Sequence, residues 1–221
     1  MTLALRIAIA FALTTTVVRA DGGVIRGTVK VERAQGVPAG AILVYVVGFP
    51  EKPASHAVVI KQVGKKFIPD LVAITAGGTV TFPNGDPFLH NVFSQTTARS
   101  FDLGSYPQGE TRSRTFPRQG VLDVYCNIHP EMNATLVVLP NTKFVMADAN
   151  GAFEIKDVPA GSWSVFAYSR RARQPTKLEV TVTAGAATEI ELSLQEAQRD
   201  FKHKNKYGEA YRDTTIYAPG T

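Results

Sequence analysis

Eight consecutive residues, Tyr125-Cys126-Asn127-Ile128-His129-Pro130-Glu131-Met132, set a thiol, an imidazole and a thioether in the order Cys-x2-His-x2-Met. A second imidazole, His90, stands upstream in Pro87-Phe88-Leu89-His90-Asn91. Two imidazoles and a thiolate in a trigonal set, with a weak and long axial Met, make the ligand set of a blue-copper electron-transfer centre. Such a centre uses one thiolate, and Cys126 is the one cysteine in 221 residues. The same count rules out an intramolecular disulfide.

These ligands need a rigid frame, and the chain supplies strands. Period-2 alternation dominates over helical spacing. In Val121 to Cys126, Leu122, Val124 and Cys126 share one face. That pattern puts the thiol at the inward end of a strand, from which a tight loop swings His129 and Met132 towards one metal. His90 closes the trigonal plane from a distant loop. Ile25, Gly27, Val29 and Val31 alternate with polar residues, and Ala41 to Val47 is a continuous apolar run, as in a strand buried on both faces. Val58 and Ile60, Val72 to Ile74, and Val80 and Phe82 give further short strands. Phe144 to Asp148 and Phe153 to Lys156 read as a hairpin about Asn150-Gly151. Trp163 to Tyr168, Leu178 to Val182 and Glu189 to Leu194 complete an all-β chain, read as two sandwiches.

On the Cys-x2-His-x2-Met motif and the upstream His90, residues of about 54–140 resemble a cupredoxin of the amicyanin/plastocyanin type, with the shorter loop of amicyanin. The resemblance implies a Greek-key β-sandwich and one type 1 copper held by His90, Cys126, His129 and Met132. It implies that Asn91 braces the ligand loop and that His129 reaches the surface as the exit for electrons. Pro87, Phe88, Leu89, Ile128 and Pro130 either form a small apolar patch around that edge, where a redox protein such as a cytochrome or dehydrogenase would dock, or pack within the two loops. One departure has a consequence. Cupredoxins with this short loop commonly carry Pro between Cys and His, and here Ile128 retains an N–H. Aimed at the Cys126 sulfur, that N–H would raise the reduction potential by stabilising electron density on the thiolate.

Segments 22–50 and 142–195 resemble the two parts of a transthyretin-like or carboxypeptidase-regulatory-like sandwich. The resemblance rests on Ile25-Arg-Gly-Thr-Val29 with Pro38-Ala-Gly-Ala-Ile-Leu-Val-Tyr45, and on Asp148-Ala-Asn-Gly-Ala-Phe153 with Asp157-Val-Pro-Ala-Gly161 and the strand of Trp163. It implies a discontinuous domain carrying 54–140 as an insert, a combination similar to exported proteins of the methylamine-utilisation type. A contiguous pair, 21–140 followed by 141–195, is the alternative division.

Residues 1–20 read as a cleaved export signal, with Arg6 before an apolar stretch from Ile7 to Val18 and small residues around Ala20. No later segment reaches the roughly 18 apolar residues of a membrane span. The expected location is periplasmic or secreted. The net charge of +5 is spread thinly until the basic tail 196–221, which gives no footprint for nucleic acid. That tail, Arg199 to Lys206 followed by Tyr207, Tyr211 and Tyr217, reads as a solvated arm along a sandwich. Of four histidines, His56 and His203 lie outside the motif and read as surface residues. They are too few for a trinuclear copper cluster, and no nucleophile elbow is present, so the sequence points to an electron carrier rather than an enzyme. A copper carrier without redox turnover, a non-enzymatic interaction protein of this fold, and a reductase sharing ligands between subunits are the other readings. Met146 reads as core, and the Asn133-Ala134-Thr135 sequon is discounted because it follows a ligand and begins a strand.

Overall fold

A computed structural model describes residues 22–51 and 57–211; the expected export signal, His56 and Tyr217 lie outside the described residues. The described chain is all-β, as the alternation predicts, with strands and turns and no helix among these residues. Strands β1 (Gly23–Arg33) and β2 (Ile42–Val47) come first. The short β3 (Ala57–Val59), β4 (Lys61–Gln62) and β5 (Phe67–Ile68) precede β6 (Leu71–Thr75), β7 (Thr79–Pro83), β8 (His90–Ser94) and β9 (Phe101–Tyr106). Then follow β10 (Thr111–Thr115), β11 (Gly120–Tyr125) and β12 (Asn133–Leu139). The last five are β13 (Phe144–Met146), β14 (Ala152–Val158), β15 (Gly161–Ser169), β16 (Thr176–Val182) and β17 (Ala187–Glu196).

Two face-to-face sheet pairs result. The sheet β6-β12-β11-β8-β9 lies over β10-β7-β3, and Phe82, Val92, Tyr106, Leu122, Val124 and Leu136 fill the space between them. The sheet β13-β2-β15-β16 lies over β14-β1-β17, around Ile25, Val44, Val165 and Leu194. Within the second pair, β1 runs parallel to β17 and antiparallel to β14. Strands from both ends of the chain therefore share its sheets.

Strand β2 explains its own unbroken apolar sequence. Ile42, Val44 and Val46 point into the second core. Leu43 and Tyr45 point the other way, against Leu71, Val137 and Leu139 of β6 and β12. Full burial of such side chains contributes about 1.5–3 kcal/mol each, so both faces of β2 stabilise the fold.

The chain leaves and returns to the second pair at one place. The Glu51 amide donates to the Pro140 carbonyl at 3.1 Å, and the Glu51 carboxylate accepts from the Thr142 amide at 2.9 Å. Asn141, fully buried, donates to the carbonyls of Val46 and Phe49, both at 3.0 Å. Glu51 and the Pro140-Asn141-Thr142 segment thus meet as a cross-linked neck.

Two local expectations differ from the structure. The Asn150-Gly151 turn is tight, with the Asp148 carboxylate accepting from the Asn150 and Ala152 amides, both at 2.8 Å. Its flanking strands do not form one hairpin ladder, because β13 pairs with β2 and β14 pairs with β1. The turn is a corner between sheets. Met146, expected in the core, is 42% exposed, because β13 is an edge strand.

Candidate metal centre

The centre forms where β8 begins beside the end of β11. Leu122, Val124 and Cys126 alternate inward, and all three are buried. Cys126 follows directly on β11, and its amide donates to the Met132 carbonyl at 3.1 Å. The Met132 amide in turn donates to the His129 carbonyl at 3.1 Å, so the loop closes on itself within seven residues. Met132 is completely buried beneath it.

His90 opens β8 and is also completely buried. The loop before it is built on Asn84, whose side-chain oxygen accepts from the Asp86 amide at 2.9 Å in an Asx turn. The Asn84 amide group donates to the carbonyls of Phe88 (2.8 Å) and Tyr106 (3.1 Å). Asp86 then holds His90: its carboxylate lies 2.8 Å from Nε2. It also accepts from the Gly64 and Lys65 amides at 2.7 and 2.9 Å. With Nε2–H donating to the Asp86 carboxylate, Nδ1 presents a lone pair towards Cys126.

The donor atoms converge. Cys126 Sγ lies 3.8 Å from His90 Nδ1 and 3.7 Å from His129 Nδ1. The three ligand atoms all lie within 4.8 Å of one another. With bonds of about 2.3 Å to thiolate and about 2.0 Å to imidazole, a sulfur and a nitrogen 120° apart around one ion are separated by about 3.7 Å. The separations observed fit a trigonal set on a single ion.

Burial pushes the Cys126 thiol above its ordinary range, opposed by the backbone amides of Asn91, Ile128 and His129. The Ile128 amide donates to Sγ at 3.5 Å. Burial, with His90 and Lys65 adding to it, lowers the His129 pKa and so favours the neutral imidazole. A metal ion would displace the thiol proton and recover the cost of burying a thiolate.

Asn91 bridges the two ligand segments, accepting from the Asn127 amide at 3.3 Å and donating to Asp102 at 2.7 Å. Phe88 lies against both imidazoles, with ring centroids 5.2 Å from His90 and 5.4 Å from His129. Phe88 and Leu89 are 37% and 49% exposed, and His129 is half-buried between the loops.

His203, expected at the surface, is half-buried and stacks on Tyr125 with centroids 4.3 Å apart. Its Nε2 lies 3.3 Å from the Cys126 carbonyl and 2.8 Å from the Tyr211 hydroxyl. Sequence spacing also missed Asp86. Its signal was the Asn84-Gly-Asp86 turn chemistry just before a candidate ligand.

No family model and no curated relative matches the chain. Among solved structures, amicyanin from Paracoccus versutus (Thiobacillus versutus) is similar at 28% identity over 43% of this chain and 96% of its own, with a TM-score of 0.36. A mutant amicyanin in the Cu(I) form is similar at 22% over 43% of this chain and 97% of its own, with a TM-score of 0.36. A copper-containing nitrite reductase from Thermus scotoductus SA-01 is similar at 24% over 50% of this chain and 28% of its own, with a TM-score of 0.37.

Proposed function

We propose that this protein is a type 1 copper electron carrier, in which His90, Cys126, His129 and Met132 would hold the ion. The observation that carries this reading is the convergence of His90 Nδ1 and His129 Nδ1 on Cys126 Sγ at 3.8 and 3.7 Å, with Met132 wholly buried beneath the same loop. A thioether beside a thiolate and two imidazoles suits copper better than a harder ion.

Bound copper supplies one-electron exchange. The chain supplies a fixed set of donors. Asp86 orients His90, the Ile128 amide hydrogen-bonds the sulfur, and the wholly buried Cys126, His90 and Met132 keep water from the inner side. His129 and the exposed Phe88 and Leu89 form the face where a redox protein would dock, a small apolar contact suited to brief encounters. His90, Cys126 and His129 form a convergent group that could hold one ion. In the same reading, residues 1–20 direct export, 54–140 are the copper-bearing unit, and 22–50 with 142–195 are its discontinuous host.

The test is the visible and EPR spectrum of copper-loaded protein beside Cys126→Ala. An intense thiolate-to-copper band, bleached by ascorbate and missing in the variant, is expected. A colourless copper complex in the unmutated protein would favour carriage without redox work.

A further inference from the structure

The segment from Arg199 to Tyr211 crosses the back of the ligand loop and is fastened at several points. At its start, the Phe201 ring lies under the guanidinium groups of Arg170, Arg171 and Arg199 at 4.4, 5.5 and 5.7 Å. The Phe201 carbonyl accepts from the Asn133 side chain at 3.2 Å. In the middle, the Lys206 amide donates to the Asn127 side chain at 2.8 Å, and the Lys206 ammonium pairs with Asp102 at 2.7 Å. Asn127 and Asp102 are the two groups that Asn91 also bonds, so Lys206 closes a ring of contacts around the residue next to His90.

At its end, Tyr211 donates its hydroxyl proton to the Cys126 carbonyl at 2.6 Å. That hydroxyl oxygen can then accept from His203 Nε2 at 2.8 Å. Two side chains thus converge on the carbonyl of the one cysteine, from 77 and 85 residues away in sequence. The loop is fixed from within by the Cys126 amide on the Met132 carbonyl, and from without by Tyr211 and His203.

We propose that Arg199–Tyr211 is a strap that holds the Cys126–Met132 loop in its ligand geometry, with Tyr211 and His203 as positioning residues for Cys126. The strap acts without metal. Its effect on a bound copper rests on the function proposed above: a proton donor on the Cys126 carbonyl draws electron density from the ligand and favours the reduced state.

Tyr211→Phe removes the hydroxyl and keeps the ring. In the metal-free protein, loss of this hydrogen bond should speed hydrogen exchange of the Cys126 and Met132 amides by about tenfold. In the copper protein it should lower the reduction potential and shift the visible band. Lys206→Ala, which spares every group touching Cys126, should move exchange in the same direction by less, and Tyr207→Phe at an exposed strap position should change nothing. Unchanged exchange in Tyr211→Phe, or an unchanged potential and band where the unmutated protein is blue, overturns the proposal. Faster exchange in a protein that never turns blue sinks the copper assignment and upholds the strap.

Discussion

Asp86 grips His90 by one imidazole nitrogen and leaves the other free for the site: the carboxylate lies 2.8 Å from Nε2, while Nδ1 lies 3.8 Å from Cys126 Sγ. A buried carboxylate used this way fixes both the tautomer and the tilt of the ring. Because Asp86 also accepts from the Gly64 and Lys65 amides, the β4–β5 turn is part of the same support.

Replacing Asp86 with Ala should cost about 10–100-fold in copper affinity, the usual effect of losing such a partner. Competition titration against a copper chelator measures it. An affinity within twofold of the unmutated protein would remove Asp86 from the site.

The Ile128 amide stands 3.5 Å from the Cys126 sulfur. Ile128→Pro deletes this donor and should lower the reduction potential, as read by voltammetry. A potential that stays or rises would show that the amide does not tune the sulfur.

Met132 offers a sharper check on the fourth ligand. Met132→Leu nearly conserves volume in a fully buried position, so unfolding stability should fall by less than about 1.5 kcal/mol. Removing the thioether withdraws a donor that favours Cu(II), so the potential should rise. A potential that does not move would leave Met132 as core alone.

The Asp102–Lys206 pair gives the strap a pH dependence. Burial would push the Asp102 carboxyl up, but Lys206, Asn91 and the Gly104 amide together hold it below its ordinary range. A carboxyl depressed in the folded state stabilises above its unfolded value of about 3.9 and loses that contribution as pH falls through the folded value. The Lys206 amide resonance should therefore shift below about pH 4, and Asp102→Asn should abolish the step.

Gly27 pairs with Ile190 across β1 and β17, and a Cβ there would stand 1.8 Å from the Ile190 carbonyl oxygen. Gly27→Ala should destabilise by about 1–3 kcal/mol in thermal unfolding. The copper spectrum of the folded variant should be unchanged, since β1 contributes nothing to the site.

Much of this was legible in residue order because it is local. The inward alternation of Leu122, Val124 and Cys126 and the two-sided burial of Ile42–Val47 follow from period 2, and both appear as expected. What the order concealed is long-range. Nothing in the spacing of His203 or Tyr211 points to the Cys126 carbonyl, because that contact depends on where the tail crosses the sheet. Phe144–Asp148 and Phe153–Lys156 look like a hairpin because the turn between them is sound; competition from β2 and β1 for the two strands decides their partners. Met146 is apolar and exposed for the same reason.

The neck at Glu51 and Pro140 bears on how such a chain could arise and be re-engineered. Its two crossings are joined by a backbone hydrogen bond of 3.1 Å, so for the surrounding sandwich the long intervening segment is a loop whose ends already touch. Closing such a loop costs an entropy that grows only with the logarithm of its length. The surrounding sandwich is therefore nearly indifferent to the size of what it carries. A short linker across the neck should reconnect it once Leu43 and Tyr45, which pack against Leu71, Val137 and Leu139 of the carried segment, are replaced by polar residues.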